Sequence, residues 1–238
     1  MSYRVLTVDD DPATLLVVEK ALARAGFEVW AASSGEAGME ILHRQGLPHL
    51  VVVDLLMPGM GGLDLCHQIK AWSDVPLIIL TSVSAKETLI DAIERFAEDY
   101  MVKPFDPREL VARVKRVLRR MGEPAYSLEP LTAVDGRLSI DFVHQRAILD
   151  GQEVELGLIE SKLLYLLMKS AGRPQSNAHL IGRIWPNQEV FEDTLRVHVH
   201  RLRRKIEPQP GVPRYIVTER GVGYSFPSPR AGGESTVC

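Results

Sequence analysis

The chain is poor in cysteine and contains neither a long apolar run nor an internal repeat. Its two cysteines, Cys66 and Cys238, are too few for a disulfide framework, so we expect both to be free thiols of a reducing cytosol. No apolar run approaches the roughly 20 residues of a membrane span, and the N-terminus has no basic-then-apolar signal region. These absences predict a cytoplasmic protein that is neither secreted nor embedded in a membrane.

The net charge is also small, at −3, and by itself it indicates no class of partner. The distribution of charge is more informative, because the segment from Thr194 to Ile206 contains five cations and no acid. These cations are Arg196, Arg201, Arg203, Arg204 and Lys205. A local basic stripe in an otherwise balanced domain favours nucleic-acid binding, although a solvated cationic face is the simpler alternative.

The chain has the length of two ordinary domains, at 238 residues. Strand and helix signals alternate through the first half, and the pattern changes after Gly122. We predict a first domain over residues 1–121 and a linker over 122–136, whose later residues are the entry to a second domain over 127–227. Residues 228–238 are rich in Pro, Gly and Ser and are expected to form a disordered tail.

Apolar strand signals and amphipathic helix signals follow one another regularly in the first domain. Strands are predicted near residues 3–8, 27–31, 49–54, 76–81 and 99–102. Helices are predicted near residues 12–25, 35–45, 62–72, 84–96 and 107–120. This alternation implies a doubly wound α/β domain with a five-stranded parallel sheet. Continuous Val, Leu and Ile runs are typical of strands that helices cover on both faces.

Chemically active residues stand where four of these strands end. Asp9 and Asp10 follow the first strand, Asp54 ends the third, Thr81 ends the fourth and Lys103 follows the fifth. The carboxyl ends of parallel strands meet at one edge, where open α/β sheets bind their ligands. Carboxylates suit Mg²⁺, an Asp can act as a nucleophile toward a phosphoryl group, and Thr and Lys suit phosphate oxygens. The set therefore predicts a switch that uses Mg²⁺ and phosphate.

The second half has the pattern of a mixed α+β domain that ends in a hairpin. Short strands are predicted at 138–140, 147–149 and 154–156, helices at 158–171, 176–184 and 191–206, and a final hairpin over 215–226. The dipeptide Asp150-Gly151 is a hairpin-turn signal. In the last helix the apolar face is predicted to consist of Leu195, Val199, Leu202 and Ile206. Arg196, His200, Arg203 and Arg204 are predicted to lie largely opposite that face. A helix that is apolar on one side and basic on the other fits a DNA major groove.

The motifs of the first domain resemble the receiver domain of a two-component response regulator. They are Val8-Asp9-Asp10-Asp11-Pro12, Asp54-Leu55-Leu56-Met57-Pro58-Gly59, Leu80-Thr81-Ser82 and Lys103-Pro104-Phe105. The resemblance covers residues 3–120 and implies a flavodoxin-like sheet with the strand order 2-1-3-4-5. It also implies that a sensor histidine kinase is the partner that donates the phosphoryl group.

The same resemblance implies a role for each residue of the crevice. Asp54 resembles the phosphoacceptor, and Lys103 resembles the lysine that contacts the phosphate. Thr81 and Tyr100 resemble the hydroxyl and aromatic pair that rearranges on phosphorylation. The implied Mg²⁺ ligands are Asp9 (mainly through water), Asp10, Asp54 and the main-chain carbonyl of Leu56.

The second domain resembles the winged-helix effector of the OmpR/PhoB family over residues 127–226. The resemblance rests on the segment Val197 to Ile206 and on the hairpin Thr218-Glu219-Arg220-Gly221-Val222-Gly223-Tyr224. It implies a transcription regulator that binds double-stranded DNA and becomes a homodimer on activation, with RNA polymerase as a further candidate partner. The implied DNA-contacting residues are Arg196, His200, Arg201, Arg203, Arg204 and, in the wing, Arg220.

Several positions depart from the family pattern. Leu89 stands where a basic residue usually pairs with the acid at Glu109, and Phe96 stands where Gly is usual. The receiver dimer interface expected here consists of Leu89, Ile93, Asp99, Glu109 and Arg113, with an apolar contact replacing some of the usual ion pairs. In the second domain Gly157 replaces a hydroxyl cap, so the helix that follows is expected to start less firmly.

Two other functions fit parts of the sequence. A phosphatase of the haloacid dehalogenase type uses an Asp nucleophile, Mg²⁺, Thr and Lys, but it has a second Asp two residues after the nucleophile as its proton donor. That position is Leu56 here, so turnover of phosphate esters should be poor. The other alternative is a regulator whose receiver is a constitutive dimerisation module that works without phosphorylation. We expect a phosphorylation-controlled transcription regulator and not an enzyme.

Overall fold

The chain folds into two compact units, which are described here from a computed structural model. The structure describes residues 2–82, 96–121, 126, 129–186 and 188–229. The first unit is built mainly from residues 1–123, and the second mainly from residues 131–238. Within the described ranges, none of the helices has the length and apolar character needed to cross a membrane.

The first unit is a parallel sheet with helices on its faces. Its strands are β1 (Arg4–Val8), β2 (Glu28–Ala32), β3 (Leu50–Asp54), β4 (Leu77–Ser82) and β5 (Asp99–Lys103). Its helices are α1 (Pro12–Arg24), α2 (Gly35–Gln45), α3 (Gly62–Trp72) and α4 (Pro107–Met121). The strands are all parallel and lie in the order β2-β1-β3-β4-β5. The predicted α/β fold class and strand order are therefore confirmed.

One predicted helix of this unit, over residues 84–96, lies outside the described residues except at its end. Leu89 and Ile93, which were predicted for the dimer interface, are among the residues that are not described. Phe96 is described, and its ring lies against that of His67 in α3, with the ring centroids 4.3 Å apart.

The core of the first unit explains why the apolar runs become strands in the middle of a sheet. Val52 of β3 and Ile78 of β4 are fully buried, together with Val18 of α1 and Leu110 of α4. Side chains alternate between the two faces of a strand, so a strand covered by helices on both sides must be apolar at every position. These packed strands fix the edge of the sheet at which the functional side chains end.

A helix cap at the start of α1 stabilises the short loop between β1 and α1. Asp11 caps this helix, because its carboxylate accepts the backbone N–H groups of Ala13 and Thr14 at 3.1 Å each. Pro12 occupies the first turn, where its fixed φ suits a helix and its missing N–H is not needed. The strand and the helix are thus joined by a short rigid connection that contains Asp9 and Asp10.

Among the residues that the structure describes, the second unit contains two antiparallel sheets and three helices. One sheet has the order β6-β7-β8-β9 and the other β10-β12-β11. The strands are β6 (Thr132–Ala133), β7 (Leu138–Asp141), β8 (Arg146–Leu149), β9 (Gln152–Glu155), β10 (Gln175–Ser176), β11 (Val217–Glu219) and β12 (Gly223–Ser225). The helices are α5 (Leu158–Lys169), α6 (Asn177–Ile184) and α7 (Glu192–Ile206). This arrangement confirms the predicted α+β class of the C-terminal domain.

Local sequence signals account for much of this unit. The predicted turn at Asp150-Gly151 joins β8 to β9, with φ values of +51° and +81°, as a two-residue hairpin turn requires. The apolar face predicted for α7 is also confirmed by burial: Leu195, Val199, Leu202 and Ile206 are its buried residues. The two-residue strands β6 and β10 were not predicted, because a pair of residues cannot show an alternating pattern.

The start of α5 differs from the expectation that Gly157 would leave it weakly capped. Gly157 supplies no side-chain cap, but its backbone N–H donates to Oε2 of Glu160 at 2.7 Å. The same carboxylate oxygen accepts the ammonium of Lys205 in α7 at 2.6 Å. Glu160 thus provides one half of a capping box and also ties α5 to the C-terminal end of α7.

Candidate metal centre and nucleic-acid interface

Three carboxylates meet at the carboxyl edge of the parallel sheet. One oxygen from each of Asp9, Asp10 and Asp54 lies within 4.8 Å of the others. Asp9 and Asp54 are buried and Asp10 is exposed, so the group is open to solvent on one side. The structure therefore brings together the three acids that the strand ends predicted.

Lys103 joins the two buried carboxylates. Its Nζ donates to Oδ2 of Asp9 at 2.7 Å and to Oδ2 of Asp54 at 2.5 Å. The second oxygen of each carboxylate accepts a backbone N–H, from Asp11 to Asp9 at 3.0 Å and from Leu56 to Asp54 at 3.1 Å. Each carboxylate is thus oriented by one cation and one main-chain donor. These partners offset the cost of burying a charged group.

The burial of these groups affects their protonation. Burial raises the pKa of Asp9 above its ordinary value, even though the hydrogen bond from Lys103 acts in the opposite direction. Burial acts to lower the pKa of Lys103, but its hydrogen bonds to Asp54 and Asp9 outweigh it, and the pKa is raised. The ammonium is therefore charged at neutral pH and partly balances a pocket that would otherwise carry three like charges.

The donor set of the pocket fits a hard divalent cation. Mg²⁺ prefers oxygen ligands, keeps several waters and needs only one or two carboxylates from the protein. The three acids supply such oxygens within 4.8 Å of one another, and the exposure of Asp10 leaves room for water on one side. The acidic triad is thus consistent with a metal site.

The other predicted receiver residues lie along the same edge or near it. Thr81 is buried next to the end of β4, one residue beyond the partner of Asp54 in the sheet register. Its Oγ1 is 3.3 Å from the carbonyl oxygen of Ser82. Tyr100 lies in β5, three residues before Lys103, and half of its surface is exposed. The structure therefore places Thr81 at the same edge of the sheet as Asp54 and leaves half of Tyr100 exposed.

Sequence reasoning missed a residue that supports the loop after β3. Oε1 of Glu36, in the first turn of α2, accepts the backbone N–H of Met60 at 2.7 Å. At Gly59, where φ is +73°, an added Cβ would lie only 2.7 Å from that same oxygen. Glu36 thus fixes the segment that follows Leu56. No local motif could have indicated this contact, because the two partners are 24 residues apart.

An ion-pair network joins the start of β5 to α4. Asp99 accepts Nη1 of Arg113 at 2.8 Å and Nη2 of Arg116 at 2.5 Å. Arg113 also donates to Glu109 at 2.6 Å. The predicted interface residues that the structure describes are therefore paired within a single chain.

The basic stripe of α7 divides into residues that face solvent and residues that face the domain. His200, Arg201 and Arg204 are exposed on the side opposite to the buried face. Arg196 is exposed as well, and its guanidinium pairs with Glu192 at 3.4 Å and Asp193 at 2.9 Å in the preceding turn. These four residues form the outer basic face of α7.

Two cations of the stripe are used inside the second unit, which corrects the expectation that Arg203 lies opposite the apolar face. Arg203 is half-buried and donates to the carbonyl oxygen of Ile216 and to Oγ1 of Thr218. Lys205 is also half-buried and binds Glu160. The helical repeat alone could not reveal these contacts, because both residues lie on the flanks between the buried and exposed faces.

The hairpin of β11 and β12 presents a cation at its tip. Arg220 is exposed in the turn between the two strands. The next residue, Gly221, has φ of +75°, a value that glycine adopts without strain. A basic turn beside a basic helix is the arrangement of a wing next to a recognition helix.

Comparison with known proteins agrees with both halves of this description. Residues 5–115 match the family described as "Response regulator receiver domain", and residues 151–226 match "Transcriptional regulatory protein, C terminal". "Sensory transduction protein RegX3" of Mycobacterium tuberculosis is 36% identical over 223 residues, which cover 93% of this chain and 98% of that protein. "Probable transcriptional regulator ycf27" of Porphyra purpurea is 38% identical over 229 residues, with 94% of each chain covered.

One protein of known structure is also similar to this chain in sequence. The response regulator DrrB of Thermotoga maritima, described as an OmpR/PhoB homologue, is 32% identical, with 96% of this chain and all of that chain covered and a TM-score of 0.46.

The receiver with its acidic pocket and the DNA-binding domain together define a response regulator that acts as a transcription factor rather than an enzyme. More narrowly, the chain belongs to the OmpR/PhoB family of two-component response regulators. The receiver implies a kinase as a partner, and the C-terminal domain implies DNA.

Proposed function

We propose that this protein is a phosphorylation-controlled transcription regulator in which Asp54 accepts a phosphoryl group from a sensor histidine kinase. The observation that carries the proposal is the placement of Asp54 between Lys103, whose Nζ lies 2.5 Å away, and the acids Asp9 and Asp10. A nucleophilic carboxylate beside a cation and a set of metal-binding oxygens is what phosphoryl transfer to aspartate requires.

The proposed transfer is a simple displacement at phosphorus. An oxygen of Asp54 forms a bond to phosphorus while the bond from phosphorus to the kinase histidine nitrogen breaks, so the product is an acyl phosphate and no oxidant is needed. Lys103 then donates to a phosphate oxygen instead of to the free carboxylate, as a point charge. Thr81 supplies a hydroxyl at the same edge of the sheet for a second phosphate oxygen.

We assign the binding of Mg²⁺ to Asp10 and Asp54, to the carbonyl of Leu56, and to Asp9 through water. When bound, this ion neutralises the charge on the phosphate oxygens. Glu36 contributes indirectly, since its hydrogen bond to Met60 at 2.7 Å holds the loop that carries the Leu56 carbonyl.

Phosphorylation is proposed to act on the face of β5 and α4. Movement of Thr81 toward the phosphate would change the space available to Tyr100, and receivers would then pair through Asp99, Arg113 and Glu109. A complete switch from 1:99 to 99:1 needs about 5.5 kcal/mol of differential stabilisation. We predict a partial shift, because those residues are already paired within one chain and pairing between receivers must exchange one set of contacts for another.

The output of the switch is DNA binding by the second unit. The outer basic face of α7 would enter the major groove, and Arg220 would reach the adjacent minor groove, where arginine is favoured. The residues proposed to meet DNA directly are Arg196, His200, Arg201, Arg204 and Arg220. Two domains brought together by receiver pairing would then bind a repeated site.

The test uses beryllofluoride, which imitates the acyl phosphate, together with Mg²⁺ on the full-length protein. We expect gel filtration to shift toward a dimer and DNA affinity to increase. Asp54→Asn should abolish both responses, whereas Asp64→Asn, which changes an exposed acid of the same unit, should retain them. An unchanged oligomeric state and an unchanged DNA affinity would contradict the proposal, and a protein that is a dimer in both conditions would favour a constitutive dimerisation module instead.

A further inference from the structure

The guanidinium of Arg203 is directed toward the hairpin. Its Nε donates to the carbonyl oxygen of Ile216 at 2.9 Å, and its Nη2 donates to the same oxygen at 2.5 Å. Nη2 also donates to Oγ1 of Thr218 at 2.8 Å. The side chain therefore reaches from the recognition helix to the first strand of the hairpin and uses its forked shape to do so.

The contacts of Arg203 extend to both strands of the hairpin. Thr218 of β11 and Tyr224 of β12 are directly opposite in the antiparallel register, so their side chains lie on the same face. The guanidinium carbon of Arg203 lies 5.8 Å from the centre of the Tyr224 ring, within the range of a cation–π contact. A single arginine thus contacts a cross-strand pair at the base of the wing.

A second contact fixes the same point of the hairpin to the end of α7. The carboxylate of Glu207, which is buried, accepts the backbone N–H groups of Arg214, Tyr215 and Ile216 at 2.7, 2.8 and 2.7 Å. The carbonyl and the N–H of Ile216 are therefore both held by residues one helical turn apart, Arg203 and Glu207. The direction of the wing relative to α7 follows from these two anchors.

We propose that Arg203 is a positioning residue for DNA binding, which holds the wing at the angle where Arg220 reaches DNA, and that it does not contact the DNA itself. This inference rests on the proposed DNA-binding function. It replaces the expectation from sequence that Arg203 is itself a DNA-contacting residue. Its donors are directed to Ile216 and Thr218 of the hairpin, and withdrawing them would leave the buried carbonyl of Ile216 without that partner.

A direct phosphate contact and a positioning role predict opposite effects of Arg203→Lys on DNA affinity. A phosphate contact needs a positive charge on a long stem, which Arg203→Lys retains. The positioning role needs a planar group that reaches the carbonyl, the hydroxyl and the ring together, and lysine cannot reproduce that geometry. Arg203→Lys is therefore the principal variant, and Arg203→Ala is the second. Thermal melting of each variant checks that it is folded.

The experiment measures dissociation constants over a range of salt concentrations, using full-length protein and a duplex selected from a randomised library. For the wild type we expect the logarithm of affinity to fall against log salt with a slope of about −4, from four to five phosphate contacts. Arg220→Ala should reduce the size of that slope by about one unit. Arg203→Lys and Arg203→Ala should each match Arg220→Ala, because each leaves Arg220 out of position.

The double variants separate the positioning role from its alternatives. Adding Arg203→Ala to Arg220→Ala should change neither affinity nor slope further, whereas adding the control Arg201→Ala should remove about one more unit of slope. The proposal is overturned if Arg203→Lys keeps wild-type affinity, or if Arg203→Ala weakens binding equally with and without Arg220. A wild-type protein that selects no duplex, or binds with a flat salt response, would instead contradict the proposed DNA-binding function.

Discussion

The acidic pocket and the outer basic face of α7 both crowd like charges together, but they tolerate this in opposite ways. In the pocket, Asp9 and Asp54 are buried and share one counter-ion, Lys103, at 2.7 and 2.5 Å. On the helix, Arg201 and Arg204 are exposed, and water stabilises each of them separately. Charges in the pocket therefore depend on one another, whereas charges on the helix act independently. Mutations of charged residues should therefore lower the free energy of unfolding more in the pocket than on the outer basic face of α7.

The largest effect is expected from removing the shared counter-ion. Lys103→Met would leave Asp9, which is fully buried, and Asp54 without their cation. Breaking a buried ion pair on one side costs about 3 kcal/mol or more, because an uncompensated charge remains. Urea denaturation without divalent ions should show this loss. Mg²⁺ should recover part of it, since a divalent cation replaces the missing charge.

Lys115→Met is the matched control for that experiment. Lys115 belongs to the same unit but is exposed on α4, so its loss should change the free energy of unfolding by less than about 0.5 kcal/mol. If the two methionine variants were equally stable, the carboxylates of the pocket would not depend on Lys103, and the contrast between pocket and helix would be lost.

The next largest effect concerns His49, at the opposite end of β3 from the pocket. Burial and the neighbouring charge of Arg4 lower its pKa from 6.5 to about 4, and its Nδ1 accepts the N–H of Arg4 at 2.9 Å. Unlike the pocket, this end of the sheet keeps its titratable group uncharged. Because the unfolded chain binds the proton first, the contribution of His49 to the free energy of unfolding should be constant above about pH 6.5 and fall toward pH 4. The total loss is about 3 kcal/mol.

His49→Gln should remove most of this pH dependence, whereas His67→Gln, which changes an exposed imidazole of the same unit, should retain it. Denaturation of the three proteins at several pH values between 4 and 7 measures the difference. The same slope in the wild type and in His49→Gln would mean that His49 is protonated as easily in the folded chain as in the unfolded one.

The two regions also differ in what the sequence could reveal. The pocket was predictable because the carboxyl ends of parallel strands meet at one edge of the sheet. Asp54, Thr81 and Lys103 each lie at such an end and are therefore close together. The buried face of α7 was predictable because the helical repeat is regular. The roles of Arg203 and Glu207 were not, since they depend on a hairpin that follows later in the chain and packs against the flank of the helix. Local pattern specifies a face, but only tertiary packing specifies which flanking side chain turns inward.

A smaller effect on stability is expected at the contact between Lys205 of the basic stripe and Glu160. The carboxylate of Glu160 is nearly buried and accepts both the N–H of Gly157 and the ammonium of Lys205. Glu160→Ala should destabilise the second unit by about 1.5 kcal/mol, because the N–H of Gly157 and the ammonium of Lys205 both lose their acceptor. Glu155→Ala, at an exposed position shortly before the helix, is the control and should have little effect. If the two variants had the same melting temperature, the contact between Glu160 and Lys205 would not stabilise the second unit, and Lys205 would behave like the exposed cations of α7.

The smallest effect on folding is expected on the outer basic face itself, at Arg201. This residue is exposed, and alanine is as favourable as arginine in a helix, so Arg201→Ala should change the free energy of unfolding by less than about 0.5 kcal/mol. The same substitution should reduce the salt slope of DNA binding by about one unit. A variant that melts like the wild type but binds DNA less tightly would show that this face is kept for recognition, whereas a marked loss of stability would mean that its cations are coupled like those of the pocket.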